Sequence, residues 1–143
     1  MVVRVILSPH HLKKNSATKL DKKAFEAPHG SDEVSVARGA YVSNWLLKAY
    51  AKARVQRPRN APPKIYRGLA FVSVEVIRAL GSSIVDSRCE YLGHADISHG
   101  VVRERGVALR PDLRLELDTR LQKIVDATHY VHDPQPGSMS WRG

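Results

Sequence analysis

A histidine and a carboxylate lie two residues apart in segment 93–100, which reads Gly-His-Ala-Asp-Ile-Ser-His-Gly. If this segment is a strand, its side chains alternate, so Ala95 and Ile97 point to the core and His94 and Asp96 to the other face. A histidine oriented by a carboxylate can act as a general acid or base. We therefore predict His94 and Asp96 as a candidate catalytic pair, although a hydrogen-bonded polar strand face is the commoner cause of this pattern.

Three further residues could complete such a site. His99 at the end of the same segment and His10 after the first apolar run are the candidate partners in proton transfer. Arg38 would stabilise charge on a phosphorane-like transition state. Because Arg38 ends the alternating segment 33–38, it shares a cleft with His94 only if that strand ends or bulges before it.

Asp126, His129 and His132 recur at three-residue steps, which would place them on one face of a helix and allow metal binding. Histidines in a last helical turn also complement the helix dipole, which is the simpler interpretation. Cys89 is the only cysteine, so no structural zinc site is expected. Phosphate-loop, dinucleotide-binding, metalloprotease and serine-hydrolase motifs are absent. The sequence thus predicts neither a metal nor a cofactor.

The net charge of +9 is distributed unevenly. Residues 1–70 hold 14 Lys/Arg and 4 Asp/Glu, whereas residues 71–143 hold 9 and 10. A field of one sign attracts polyanions such as nucleic acid, although it also serves solubility alone. Tyr50 and Tyr66 are interleaved with one basic stretch and could stack on bases. The predicted contacts to phosphates are Lys48, Lys52, Arg54, Arg57, Arg59, Lys64 and Arg67. A second group of lysines within residues 13–23 is predicted to form an exposed loop or short helix.

Short strands and helices must position these residues. Alternating or β-branched apolar runs predict strands, and apolar residues spaced by three and four predict helices. The mixture with short connections favours an α+β fold, a small mixed sheet packed against two or three helices. We expect one domain over residues 1–133 and a tail over 134–143. The predicted strands cover 2–7, 33–38, 65–72, 83–86 and 93–99, and the helices cover 41–55, 74–80 and a long segment from Pro111.

The single cysteine fits a reducing compartment, and no segment approaches the roughly 20 apolar residues that span a bilayer. The N-terminal apolar run is short and interrupted by Arg4, unlike the core of a signal peptide. A cytoplasmic location without a membrane partner is therefore expected.

Segments 22–38, 66–70 and 93–100 resemble a group of small bacterial proteins. That group shares a phenylalanine–proline, serine–valine–x–arginine segment and a later histidine–alanine segment. The resemblance covers about residues 1–130. Since the group has no established activity, the resemblance implies a bacterial, free-standing domain and directs attention to Ser35, Arg38, His94 and Asp96.

Three functions remain open at this point. The leading one is a small basic nucleic-acid-associated protein. Within it, nucleic-acid binding alone is favoured over the activity of a histidine-dependent phosphodiesterase or ribonuclease. The second is an enzyme acting on a small anionic nucleotide, such as an ADP-ribose-type ligand, in a pocket lined by Arg38 and His94. The third is a noncatalytic protein-interaction module that uses Trp45, Tyr50 and Trp141. Whether the protein is an enzyme is not decided by its sequence.

Overall fold

A computed structural model of the protein describes residues 1–55, 64–87 and 91–141, apart from the side chain of Arg54. Predicted residues Arg57 and Arg59 lie outside these ranges. The predicted α+β class is confirmed. The strands are β1 (Val2–Ser8), β2 (Glu33–Arg38), β3 (Ile65–Val72), β4 (Ser83–Asp86), β5 (His94–Ser98) and β6 (His129–His132). The helices are α1 (Asn44–Val55), α2 (Val74–Ala79) and α3 (Pro111–Asp126), with a 3-10 turn at Lys22–Ala24.

The strands form one sheet in the order β4-β5-β2-β1-β3-β6. Every described pairing is antiparallel, whereas the sequence led us to expect a mixed sheet. Strand β1 lies near the centre and pairs with β3 along its whole length but with β2 only at Val2 and Val3. The Val2 end and the Ser8 end of β1 therefore lie at opposite ends of the sheet along the strand direction.

Each face of the sheet is covered by different helices. Side chains of alternate strand residues such as Ile6 and Val36 pack with Leu121 of α3, and we call this side the α3 face. Val3 and Leu69 pack on the opposite side with Leu47 of α1, and we call it the α1 face. The alternation of apolar residues along the strands is what sends one set to each helix layer.

The helix starts follow local capping. Ser73 accepts a hydrogen bond from the Glu75 backbone N–H at 3.2 Å, which confirms the predicted cap of α2. Ser43 accepts one from the Leu46 N–H at 3.2 Å, so α1 begins at Asn44 and not at residue 41 as its apolar spacing predicted. Spacing alone does not locate a helix start, because the cap and not the apolar face fixes it.

Candidate functional site

The alternation predicted for β5 is present. Ala95 and Ile97 are buried on the α3 face, and His94 and Asp96 lie on the α1 face. However, His94 is only 5% exposed and Asp96 only 7%. The ring of Tyr91 meets His94 edge-on, with centroids 5.3 Å apart, and Tyr91 in turn contacts Tyr50 of α1 at 5.2 Å. The expectation of an open, solvent-facing pair is wrong because aromatic residues cover it.

Ser87 links the two residues of this pair. Nδ1 of His94 lies 2.8 Å from the Ser87 carbonyl oxygen and 2.9 Å from its Oγ. The Ser87 hydroxyl donates to the Asp96 carboxylate. Because a carbonyl only accepts, Nδ1 of His94 carries a proton, and the lone pair of the neutral ring is on Nε2. Sequence reasoning missed Ser87, since nothing in its local pattern announces a contact with a strand seven residues away.

This arrangement differs from a nucleophilic triad. In such a triad the serine hydroxyl contacts one ring nitrogen of the histidine and the carboxylate lies at the other. Here the Ser87 hydroxyl and the Asp96 carboxylate are both on the Nδ1 side of His94. The hydrogen bonds of Ser87 join strand β5 to the chain after β4, as those of a buried structural polar network do.

Arg38 is engaged elsewhere. Its guanidinium lies 2.9 Å from Asp86 Oδ1, and its Cζ lies 5.9 Å from the centre of the Tyr41 ring. Although Ala37 pairs directly with His94, Arg38 does not meet the His94–Asp96 pair. The predicted common cleft is therefore wrong, because the ion pair with Asp86 holds the Arg38 guanidinium away from His94 and Asp96. The same ion pair neutralises the charge that was predicted to stabilise a phosphorane-like transition state.

His99 and His10 do not join His94 either. His99 is 4% exposed on the α3 face, with Nδ1 2.8 Å from Ser82 Oγ and Nε2 2.7 Å from the Phe25 carbonyl. Burial lowers the pKa of His99 below its ordinary value. His10 is exposed beyond the far end of β1, about 20 Å along a seven-residue strand from the end near His94. The predicted catalytic set therefore does not converge.

The helical face that would have allowed metal binding does not form. Asp126 ends α3, while His129 and His132 belong to strand β6, where residues three apart point to opposite faces. Within residues 1–55, 64–87 and 91–141, no group of three or more His, Cys, Asp or Glu side chains could hold a metal. The same ranges contain no helix with the length and apolar character needed to cross a membrane.

Lys48 is the clearest error among the predicted phosphate contacts. Its side chain is fully buried, and its Nζ lies 2.6 Å from Asp133 Oδ2. The same ammonium donates to the carbonyl oxygens of Gln135 and Ser140 at 2.8 and 2.6 Å. Burial raises the pKa of Asp133, but the contacts with Lys48 and the Gln135 N–H outweigh it and leave the pKa below its usual value. Lys48 is thus a structural cation.

Lys52, one turn along α1, has a related role. Its Nζ donates to the Gly137 carbonyl at 2.7 Å and to the Ser138 carbonyl at 3.4 Å. The segment after β6, which the sequence suggested as a tail, is therefore held against α1 by two lysines. Trp141 packs against the core beneath α1. Lys48 and Lys52 of the predicted basic stretch therefore hold the protein's own chain and are not left for a ligand.

Three exposed lysines lie close together instead on the loop between β1 and the 3-10 turn. Leu12 and Leu20 pair across the base of this loop and are 7% and 6% exposed. The Lys13 N–H donates to the Lys19 carbonyl at 2.9 Å, which closes the loop. Two buried leucines thus fix the base, and the lysine side chains between them point to solvent.

Strand β3 brings Arg67 towards this loop, and Tyr130 of β6 connects the two. The Tyr130 hydroxyl lies 3.4 Å from the Ala17 carbonyl of the loop and 3.4 Å from the Arg67 carbonyl of β3. Nε of Arg67 donates to Ser8 Oγ at 3.0 Å, at the end of β1. We call this surface the basic end; it consists of His10, Lys13, Lys14, Lys19, Lys64 and Arg67. The lysine density of residues 13–23 was the sequence signal for it.

The field of the basic end acts on His11. Burial, followed by the charges of Arg4 and Lys64, lowers the pKa of His11 to about 3. Its Nδ1 accepts a hydrogen bond from the Leu7 N–H at 3.1 Å, so only the neutral ring fits.

We expect this histidine to make the fold acid-sensitive. In the unfolded chain His11 binds a proton near pH 6.5, whereas in the folded chain it stays neutral until about pH 3. The free energy of unfolding therefore falls as the pH drops from 6.5 towards 3. His11→Asn keeps an acceptor for Leu7 without titrating, and should reduce this loss by about 1.4 kcal/mol per pH unit. Urea unfolding of both proteins at pH 6.5, 5.5 and 4.5 measures the difference. Parallel profiles would contradict the assignment.

Two surface cavities, of about 280 and 240 Å³, lie elsewhere. The first is lined by residues that include His29, Arg103 and Arg114, and the second by residues of α3 with Leu80. Neither is lined by Arg38 or His94, the residues predicted for a small-nucleotide pocket.

Comparisons with family models, with curated proteins and with solved structures found no match. The resemblance to the group of small bacterial proteins therefore stays a prediction.

Proposed function

We propose that the protein binds the phosphate backbone of nucleic acid through the basic end, in the cytoplasm and without a catalytic step. The observation that carries this proposal is the closed loop of Lys13, Lys14 and Lys19 beside Lys64 and Arg67. Backbone phosphates need only positioned cations, and such contacts carry no base specificity.

The lysines of the basic end differ from those of α1 in whether their side chains are exposed or already paired. Lys48 forms an ion pair with Asp133, and Lys52 donates to carbonyl oxygens. The side chains of the four lysines of the basic end are exposed: Lys13, Lys14, Lys19 and Lys64. Exposed lysines keep their charge in water and can exchange small counterions for phosphates. The proposal thus assigns binding to a different set of cations from the one the helix spacing suggested.

The affinity of the wild-type protein for a fluorescent single-stranded oligonucleotide is expected to fall steeply with salt. If about four phosphates of the single strand are neutralised, the slope of log K against log [salt] is about −2.8, which weakens binding roughly 50-fold between 50 and 200 mM salt. Fluorescence anisotropy at four salt concentrations measures this slope. Absence of binding at 50 mM salt would remove the proposal.

Catalysis at His94 is a weaker candidate, because the pair that would perform it is covered by Tyr91 and linked through Ser87. A protein-interaction role has one observation in its favour. Tyr41, Trp45 and Leu92 are 62%, 50% and 68% exposed at the end of the molecule opposite the basic end. Binding through such residues would change little with salt, which distinguishes it from phosphate binding.

A further inference from the structure

Arg67 lies at an irregularity in the sheet. Ile6 pairs with Gly68 and Leu7 pairs with Tyr66, so Arg67 is an extra residue opposite β1, as in a β-bulge. A bulge turns a side chain away from the direction that strand alternation would give it. Tyr66 and Leu69 belong to the α1 face, yet Arg67 contacts Ser8, which has the parity of Ile6 on the α3 face.

The surroundings of Arg67 are built from three strands. Ser8 ends β1, while the Tyr130 hydroxyl of β6 lies 3.4 Å from the Arg67 carbonyl and 3.3 Å from His132 Nδ1. Gly68 allows β6 to lie this close to β3, since a Cβ at residue 68 would stand 2.2 Å from the Val131 carbonyl oxygen. The bulge thus presents Arg67 beside two polar side chains and the lysine loop.

The guanidinium of Arg67 is fixed at one side and available at the other. Its Nε donates to Ser8 Oγ, and neither Nη1 nor Nη2 meets an acceptor in the parts of the chain that the structure describes. The carboxylate of Asp133, two residues beyond Val131, is fully buried and engaged by Lys48. Two parallel N–H groups of one guanidinium match the spacing of two phosphate oxygens.

We propose that Arg67 is the fixed phosphate-binding residue of the basic end. Its Nη1 and Nη2 hold one phosphate group of the bound nucleic acid, and the Ser8 hydroxyl, which accepts from Nε, donates its own hydrogen to the same group. The flexible lysines then contact neighbouring phosphates as point charges. This inference rests on the proposed function and assigns to one residue the contact that positions the strand.

The test uses Arg67→Lys, which keeps the charge and removes the paired N–H groups. We expect about tenfold weaker oligonucleotide binding with an unchanged salt slope, because the number of neutralised phosphates stays the same. Arg105→Lys is the matched control at an exposed arginine elsewhere and should bind like the wild type. Ser8→Ala, which frees Nε of Arg67, provides a second variant and should weaken binding by about threefold.

Circular dichroism first establishes that the variants are folded. Oligonucleotides of one sequence with a 5′-phosphate or a 5′-hydroxyl then distinguish a terminal phosphate from an internal one; a preference lost in Arg67→Lys assigns the terminal group, and equal weakening of both assigns an internal group. Wild-type affinity in both folded variants would overturn the role of Arg67 while leaving the proposed function intact. A wild-type protein that binds neither oligonucleotide would instead overturn the proposed function.

Discussion

Replacing Lys48 by methionine is expected to destabilise the fold by about 3–5 kcal/mol, the usual cost of leaving one partner of a buried ion pair alone. The substitution leaves the Asp133 carboxylate in a site with no access to water, and it removes the donor to the carbonyls of Gln135 and Ser140. Urea unfolding followed by circular dichroism measures the loss.

Two controls give this result its meaning. Lys48→Met combined with Asp133→Leu should recover much of the stability, because no unpaired charge then stays buried. Lys52→Met, one turn away and partly exposed, should cost about 1 kcal/mol or less. A loss below about 1 kcal/mol for Lys48→Met would contradict the structural role of this residue.

Replacing Lys13, Lys14 and Lys19 together by glutamine should reduce the salt slope of single-stranded oligonucleotide binding by about 2.1, since three phosphate contacts are lost. The affinity at low salt should fall by at least about 100-fold, while the unfolding free energy should change little because all three side chains are exposed. Fluorescence anisotropy over a series of salt concentrations measures the slope and the affinity together.

The matched control removes the same charge from another part of the surface. Arg78, Arg105 and Lys123 are exposed and lie on other elements. Their joint replacement by glutamine lowers the net charge equally, so it should affect only the weak, long-range attraction. Equal losses in the two triple variants would indicate that net charge, and not the basic end, carries the binding.

Most of the fold was predictable because its signals are local. Alternation located β2, and short runs rich in apolar residues located β3 and β4, all at their observed bounds; Ser73 and Pro111 marked helix starts. Strand β6 was missed: residues 126–132 fit a helical spacing as well as a strand. Its pairing with β3 is a contact between residues some 60 positions apart, and periodicity does not reveal such a contact.

The site was less predictable because it depends on partners distant in sequence. Lys48 and Lys52 have the same helical spacing, yet only Lys48 meets a buried carboxylate, 85 residues further along the chain. His94 was placed on the correct face of β5, but the sequence did not show that Tyr91 would cover that face. Burial of a polar residue is a property of the packed layers and not of the strand that carries it.

The most direct test of nucleic-acid binding at the basic end is a two-dimensional ¹H–¹⁵N NMR titration of the wild-type protein with a single-stranded oligonucleotide at low salt. The proposal predicts that the largest shift changes fall on residues 13–19, 64–67 and 130–132, which the Tyr130 contacts bring together. It also predicts that these changes fade as salt is added. Changes centred on Tyr41, Trp45 and Leu92, or no changes at all, would contradict it.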